Sequence, residues 1–228
     1  MSRHTMAAAL CAASLGAGCG SAQRAEPPVT IQLPAPKLRG AVSVEEALQK
    51  RRSVRGYQNE ALTLSEISQL LWAAQGTTNE AGRRTAPSAG GLYPLELYVV
   101  AGNVKDLEPG IYKYASRGHT LAKVASGDKR SDLAAAALGQ QQVARGAVCL
   151  VIAGVYERTA KRYKERAVRY VHMEAGHAAQ NIYLQAAPLG LGTVVLGAFE
   201  DARVKSLLGL PEEENPLYIM PVGRPAGP

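Results

Sequence analysis

The stretch "RRSVRGYQNE", residues 51–60, places three arginines and a serine within five positions. Guanidinium groups stay charged and carry a planar set of donors that matches the oxygens of a phosphate or carboxylate. The cluster therefore suits the binding of an anion. The alternative is a solvated basic turn, because cations are also favoured at the C-terminal end of a helix, where this stretch is expected to lie.

Three further segments have backbones suited to close contact with a flat ligand. "APSAGGLYPLELYVV" has two prolines and two adjacent glycines just before a strand, and glycine lets backbone approach a ligand closely. "GLGTVVLGAF" has Gly197 at the expected end of a strand, and "IMPVGRP" supplies Arg224 near the C-terminus. Each segment alone could be an ordinary turn, so only their combination indicates a site.

Side chains that could perform acid–base or metal chemistry are few. Glu174, His177 and Asn181 share one predicted helix, but no nucleophile accompanies them, and His177 is expected to be a hydrogen-bonded core histidine. Cys149 lies in the apolar run "GAVCLVIAGVY" and is expected to pack as a small core hydrophobe. No ligand cluster predicts a metal site.

Composition narrows the classes of partner. The chain has 228 residues and a net charge of +7, which favours anionic ligands. One Phe, one Trp and the lack of zinc-finger spacing argue against nucleic acid as a partner. No apolar run reaches the roughly 18 residues of a membrane span.

The first 42 residues differ from the rest. Residues 1–19 have a short basic start and an Ala-rich apolar stretch, the layout of a secretion signal. "LGAGC" resembles a lipobox, in which Cys19 would carry the lipid, although the leucine lies one residue too early; an uncleaved leader is the alternative. Residues 20–42, rich in Pro and Ala, are predicted to be a tether. The protein is therefore expected to be exported and anchored to a membrane by lipid alone.

Residues 43–228 are predicted to form the folded domain. "SVEEALQK" and "TLSEISQLLWAAQG" each open with a capping box, at Ser43 and at Thr63, and Asp128 is expected to cap an Ala-rich helix. Strands are predicted at "LELYVVA", "GIYKYA", "TLAKVAS", "TVVLGAF", "PLYIMPVG" and around Cys149. Helices and strands do not alternate strictly, which indicates an α+β fold with a largely antiparallel sheet covered by helices.

In combination, "RRSVRGY", "APSAGGLYPLELYVV", "GHAAQNIYLQAAPLGLGTVVLGAF" and "LYIMPVGRP" resemble the nitroreductase-like family of FMN-dependent oxidoreductases. The SagB-type dehydrogenases, which oxidise azoline rings in peptides, are the most similar branch. The resemblance covers roughly residues 43–226 and implies a nitroreductase-like fold. It also implies a homodimer, with the flavin between subunits and the helix around His177 at the seam.

The resemblance also implies which residues hold FMN. The phosphate, ribityl chain and pyrimidine edge fall to Arg51, Arg52, Ser53 and Arg55, with Arg224 as the last phosphate partner. The turn beside the isoalloxazine ring consists of Pro87, Ser88, Ala89, Gly90 and Gly91. Many relatives have an asparagine near Gly91, so a backbone contact must substitute here. Leu196 and Gly197 are expected to offer a backbone N–H to flavin N5, and Tyr93 to contact substrate.

The implied activity is hydride transfer through flavin N5 to or from a small molecule or a peptide ring, with no catalytic acid or base. NAD(P)H is not normally available outside the cytoplasm, so the export signal favours a dehydrogenase that passes electrons to oxygen or another acceptor. The main alternative is a lipid-anchored flavin-binding or structural protein without turnover. An anion- or nucleic-acid-binding module is a third interpretation.

Overall fold

The computed structural model describes Met1 and residues 29–227, which contain nine strands and seven helices. The strands are β1 (Thr30–Gln32), β2 (Leu62–Thr63), β3 (Leu95–Ala101), β4 (Val104–Lys105), β5 (Gly110–Ala115), β6 (Thr120–Ser126), β7 (Val148–Gly154), β8 (Gly192–Thr193) and β9 (Asn215–Gly223). The helices are α1 (Val44–Lys50), α2 (Leu64–Gln75), α3 (Arg130–Ala136), α4 (Gln141–Arg145), α5 (Tyr156–Tyr163), α6 (Ala167–Ala186) and α7 (Asp201–Leu208).

The main sheet has seven strands in the order β1-β6-β5-β3-β7-β9-β8, and every neighbouring pair is antiparallel. Side chains alternate between its faces. On β3, Leu97 and Val99 pack in the core that includes α2 and α6, whereas Tyr98 and Val100 pack with α3 and α7. β7 is buried along its whole length because helices cover both faces. This confirms the α+β class and the antiparallel sheet covered by helices.

Cys149 lies in β7 and is fully buried, as expected of a core hydrophobe. Burial raises the pKa of its thiol to about 12, so it stays protonated at neutral pH. None of the helices in the described part of the chain has the length and apolar character needed to cross a bilayer.

The packed domain begins earlier than the predicted boundary at residue 43. Residues 30–32 form β1, which pairs with β6 at the sheet edge, and Leu33 is buried in the core. The Gln69 side chain also bonds both backbone groups of Lys37. The end of the predicted tether is therefore part of the fold. The leader, Cys19 and residues 20–28 of the tether lie outside the described residues.

The strand predicted at "TVVLGAF" is wrong over most of its length. Strand β8 contains only Gly192 and Thr193. In the register of these two pairs the residue opposite Val194 is Pro221, which has no N–H to donate, and the Val195 amide donates to the Tyr183 hydroxyl at 2.8 Å. Leu196 then returns for a single bridge with Ile219.

The predicted caps have mixed outcomes. Thr63 and Glu66 form the full capping box of α2. Ser43 caps α1 through the Glu46 amide, but the Glu46 carboxylate pairs with Lys50 instead of completing the box. Helix α3 begins at Arg130, so Asp128 lies one position too early to be its N-cap, although its carboxylate accepts from the Arg130 amide.

Candidate functional site

Tyr183 on α6 joins the basic turn to the segment after β8. Its hydroxyl accepts from the Val195 amide at 2.8 Å and lies 3.2 Å from the Ser53 hydroxyl. The Arg51 guanidinium lies 5.2 Å from the centre of its ring. The turn is extended after α1, so Val54 donates its amide to the Thr193 carbonyl at 2.8 Å. Residues 51–54 and 193–196 thus form one cluster.

The arginines of this turn carry no counter-ion within the described structure. Arg51, Arg52 and Arg55 form no salt bridge there. Arg52 donates only to two backbone carbonyls, of Gln49 at 2.7 Å and Arg51 at 2.8 Å, and the Arg55 side chain makes no hydrogen bond to described residues. Three guanidinium groups without an ion pair to described residues, beside a serine hydroxyl, are suited to binding an anion such as a phosphate. We call residues 51–55 the arginine cradle.

The C-terminal segment pairs with the residues that directly follow the cradle. The Gln58 amide donates to the Arg224 carbonyl, and the Ala226 amide donates to the Gly56 carbonyl. The Arg224 guanidinium, however, pairs with Glu66 at 2.7 Å and Glu60 at 3.1 Å. Partial burial opposes its charge, but the two carboxylates raise the pKa of Arg224 overall. Its charge is therefore already neutralised, unlike those of the cradle.

The backbone amides of Leu196 and Gly197 differ in whether they are already hydrogen-bonded. The Leu196 N–H and C=O both bond Ile219, at 2.9 and 3.0 Å, so this amide is occupied. Gly197 is exposed, and its N–H has no partner among the residues that the structure describes. Of the two predicted donors, only Gly197 can bond a ligand without breaking an existing bond.

Residues 87–93 form a tight turn that α6 holds in place. Gly90 and Gly91 have φ of 63° and 67°, which favours glycine, and the Ser88 hydroxyl accepts from the Tyr93 amide at 2.8 Å. The Ala89 amide donates to the buried Glu174 carboxylate at 2.9 Å. Burial raises the pKa of Glu174, and this amide bond partly opposes the rise. Pro87, at the start of the turn, is exposed. We call residues 87–91 the glycine turn.

Two arginines, Arg84 and Arg158, contact Tyr93. Its hydroxyl accepts from the Arg84 amide at 3.2 Å, the Arg84 guanidinium lies 4.8 Å from the ring centre, and its carbonyl accepts from Arg158 at 3.2 Å. One side of Tyr93 lines a cavity of about 590 Å³. A contact between Tyr93 and substrate remains a prediction.

Glu174, His177 and Asn181 do not converge. His177 is exposed, so the expectation of a core histidine is wrong: it lies on the side of α6 opposite the buried Ala175 and Ala178. The Asn181 amide donates to the Ala73 carbonyl and ties α6 to α2. Only Glu174 has a role near the predicted site.

Within one protomer the predicted residues form two groups. Glu174 contacts the glycine turn and Tyr183 contacts the arginine cradle, nine residues apart on α6. That spacing is about 13 Å along a helix axis. Sequence reasoning missed both Tyr183 and Glu174 as anchors. Across residues 29–227, no cluster of three potential metal ligands occurs.

Comparison with known proteins identifies the family. The Nitroreductase family model matches residues 48–224. A Methanocaldococcus jannaschii protein, named provisionally as a nitroreductase, is 46% identical over 195 residues, covering 86% of this chain and 97% of that protein. A Ralstonia eutropha structure, also assigned provisionally as a nitroreductase, superposes with a TM-score of 0.76 at 30% identity, over 89% of this chain and 94% of that one.

More distant relatives have more specific names. The trifolitoxin operon protein TfxC of Rhizobium leguminosarum is 28% identical over 83% of this chain, which spans 57% of that protein. The NADPH-flavin oxidoreductase of Vibrio harveyi is 32% identical over 46% of this chain and 48% of its own length. The sheet, the helices and the family match confirm the nitroreductase-like fold, and the chain is an oxidoreductase that belongs to the nitroreductase family.

Proposed function

We propose that this protein is an FMN-dependent oxidoreductase that transfers a hydride through flavin N5, similar to nitroreductases and SagB-type dehydrogenases. The observation that carries the proposal is the arginine cradle, because its three cations have no counter-ion among the described residues. They lie next to the segment that ends at Gly197, whose amide likewise has no partner in the described part of the chain. A mononucleotide phosphate supplies the missing negative charge. The relative named as a flavin oxidoreductase supports this choice of cofactor.

The residues present fit FMN at three points. Arg51, Arg52 and the Ser53 hydroxyl offer donors to the phosphate and ribityl chain, and Arg55 offers a positive charge to the pyrimidine edge. The Gly197 amide offers a donor to the ring. Arg224 does not fit as found, since Glu60 and Glu66 neutralise it, and its role as a phosphate ligand requires those pairs to open.

When bound, FMN supplies the hydride chemistry, and the chain supplies position and electrostatics. The glycine turn presents backbone without side chains at Gly90 and Gly91, so a planar ring can approach it closely. Arg55 stabilises negative charge at the ring edge, and no side chain serves as acid or base. Glu174 positions the turn through the Ala89 amide.

We propose that two subunits complete each site, with the cradle of one chain facing the glycine turn of the other. The support is the separation of the two groups on α6, together with exposed apolar side chains on that helix, at Val168 and Met173. A homodimer also accounts for the exposure of His177, which lies on the same helix.

For substrate we propose a small molecule or an azoline-type ring in a peptide, a choice that follows from the resemblance to SagB-type dehydrogenases. The predicted leader and Cys19 lead us to propose export and lipid anchoring, with oxygen or another non-nicotinamide acceptor. Cys19→Ala should abolish incorporation of labelled fatty acid and release the protein from membranes.

The absorption spectrum of the purified full-length protein tests the cofactor, since bound oxidised flavin is yellow. Dithionite reduction followed by oxygen, quinone, nitroaromatic or azoline acceptors then tests turnover. Acceleration of reoxidation by one acceptor supports an enzyme. A yellow protein that no acceptor reoxidises faster indicates a flavin binder, and a colourless protein that takes up no FMN contradicts the proposal.

A further inference from the structure

Two neighbouring cavities have no lining residue in the arginine cradle, and Tyr93 lines the larger of them. Their volumes are about 590 and 310 Å³, and both are lined by Arg84, Ser116 and Arg117. The Thr77 hydroxyl donates to the Ser116 carbonyl at 3.2 Å, which ties the loop after α2 to the β5–β6 hairpin. Because the two cavities share these three lining residues, we refer to them together as the Arg84 cleft.

Arg84 is a half-buried cation without a carboxylate partner in the described structure. One guanidinium nitrogen donates to the Gln75 side chain at 2.9 Å and to the Leu95 carbonyl at 3.4 Å, and both acceptors are neutral. The nearby Glu96 pairs instead with Arg158 and, at 3.6 Å, with Lys113. Burial lowers the pKa of Arg84, and the nearby Glu96 carboxylate opposes this shift only in part.

Arg117 adds a second free cation to the cleft. It lies on the turn between β5 and β6, is exposed, and makes no side-chain hydrogen bond or ion pair with any described residue. Three other charged residues line the cleft. Glu96 lines its smaller cavity and pairs with Arg158 and Lys113, Lys113 also pairs with Glu214, and Glu80 is exposed and pairs with neither arginine. Arg84 and Arg117 therefore form no ion pair with any residue that the structure describes.

We propose that the Arg84 cleft binds an oxyanion, a carboxylate or a phosphate monoester, on the molecule that exchanges electrons with the flavin. Two guanidinium groups match the paired oxygens of such a group, and the Tyr93 ring offers an apolar wall beside them. Tyr93 also connects the cleft to the glycine turn through the Ser88 hydroxyl. The assignment of the anion to a redox substrate rests on the proposed function, whereas anion binding by the cleft does not.

Calorimetry tests the proposal, because it measures the affinity of the full-length protein for a probe and does not depend on enzymatic turnover. The probes are 4-nitrobenzoate, 4-nitrophenyl phosphate and the neutral methyl 4-nitrobenzoate. We expect at least one anionic probe to bind about tenfold or more tighter than the ester. Whichever anion binds tighter identifies the preferred oxyanion. Arg117→Gln should remove that advantage and leave ester binding unchanged.

Arg83→Gln is the matched control, because Arg83 is adjacent in sequence, exposed and makes no side-chain bond to described residues. It should retain the preference for the anion. Arg84→Lys keeps the positive charge but loses the planar pair of N–H donors of the guanidinium group, so it should weaken anion binding. The proposal that the cleft binds an oxyanion is overturned if the wild-type protein binds anions and ester equally tightly. It is also overturned if Arg83→Gln loses the preference for the anion as Arg117→Gln does. A colourless protein with Arg117-dependent anion binding overturns the proposed function instead.

Discussion

The Tyr183 hydroxyl is one of the groups that hold two parts of the proposed flavin site together. It bonds the Val195 amide and contacts Ser53, which lies 130 positions away in sequence. Nothing in the local pattern of "QNIYLQAA" reveals these contacts, because they depend on how distant segments pack. The arginines themselves were recognisable from residue type and resemblance, whereas the group that orients them was not.

Tyr183→Phe should leave the Val195 amide without its acceptor and weaken the link between the segment after β8 and the cradle. We expect a loss of about 1–2 kcal/mol in the free energy of unfolding, measured with urea, and weaker binding of FMN. Tyr170→Phe is the control, since that hydroxyl makes no hydrogen bond among the described residues. Equal stability and FMN affinity in the two variants contradict the role of Tyr183.

Glu66 makes stability depend on pH. Burial opposes its charge, but the Thr63 amide and Arg224 outweigh it, and its pKa lies below the ordinary value of 4.5. The unfolded chain therefore binds this proton more readily, so the stabilisation is present above pH 4.5 and is lost as pH falls through the folded pKa.

Glu66→Gln should accordingly lower the free energy of unfolding at pH 7 by about 1–2 kcal/mol, and the difference from wild type should shrink in acid. Urea denaturation at pH 7 and pH 3.5 measures both values. Glu60→Gln removes the more exposed partner of Arg224 and should change stability by less than about 0.5 kcal/mol. A Glu66 effect that is independent of pH contradicts the charge argument.

At the scale of elements, the sequence predicted those helices and turns that depend on interactions between neighbouring residues. The capping box at Thr63 and the turn between β5 and β6 place α2 and the hairpin where the sequence indicated. Strand β1 was missed because three residues in a Pro-rich stretch give no periodicity. The strand at "TVVLGAF" was overpredicted because the β9 residue opposite Val194 is Pro221, which has no N–H to donate to a ladder.

The glycine turn contains two residues with positive φ, a conformation that residues other than glycine rarely adopt. Gly90→Ala places a β-carbon at φ 63°, and 3.1 Å from both an Arg162 nitrogen and the Tyr163 hydroxyl. We expect a loss of about 1–2 kcal/mol in the free energy of unfolding, measured with urea. Gly40→Ala is the control, since Gly40 has open space and no positive φ, and should be neutral or slightly stabilising. Equal effects contradict the strain argument.

For the whole molecule, the separation of cradle and glycine turn within one chain is the main argument for a dimeric site. Sedimentation should show a particle of about twice the 24.1 kDa chain mass. The pattern of exposed and buried residues on α6 could be predicted from its periodicity, but the partner that covers the exposed side could not.

Mixing two defective variants tests whether the subunits share a site. Arg55→Gln removes a charge from the cradle, and Gly91→Leu places a side chain in the open space beside Gly91 in the glycine turn. Each variant alone should lose flavin, and refolding them together should restore about a quarter of wild-type occupancy, because half the dimers are mixed and each has one intact site. No recovery in mixed dimers shows that cradle and turn of one chain serve the same site.

The affinity of the flavin-free protein for FMN, measured by fluorescence quenching, tests the central claim that the arginine cradle holds a phosphate. We predict stoichiometric binding by the wild-type protein, weakened about tenfold or more in Arg51→Gln and in Arg55→Gln and within about twofold of wild type in Arg83→Gln. A wild-type protein that does not bind FMN, or cradle variants that bind it as tightly as Arg83→Gln, would contradict the account.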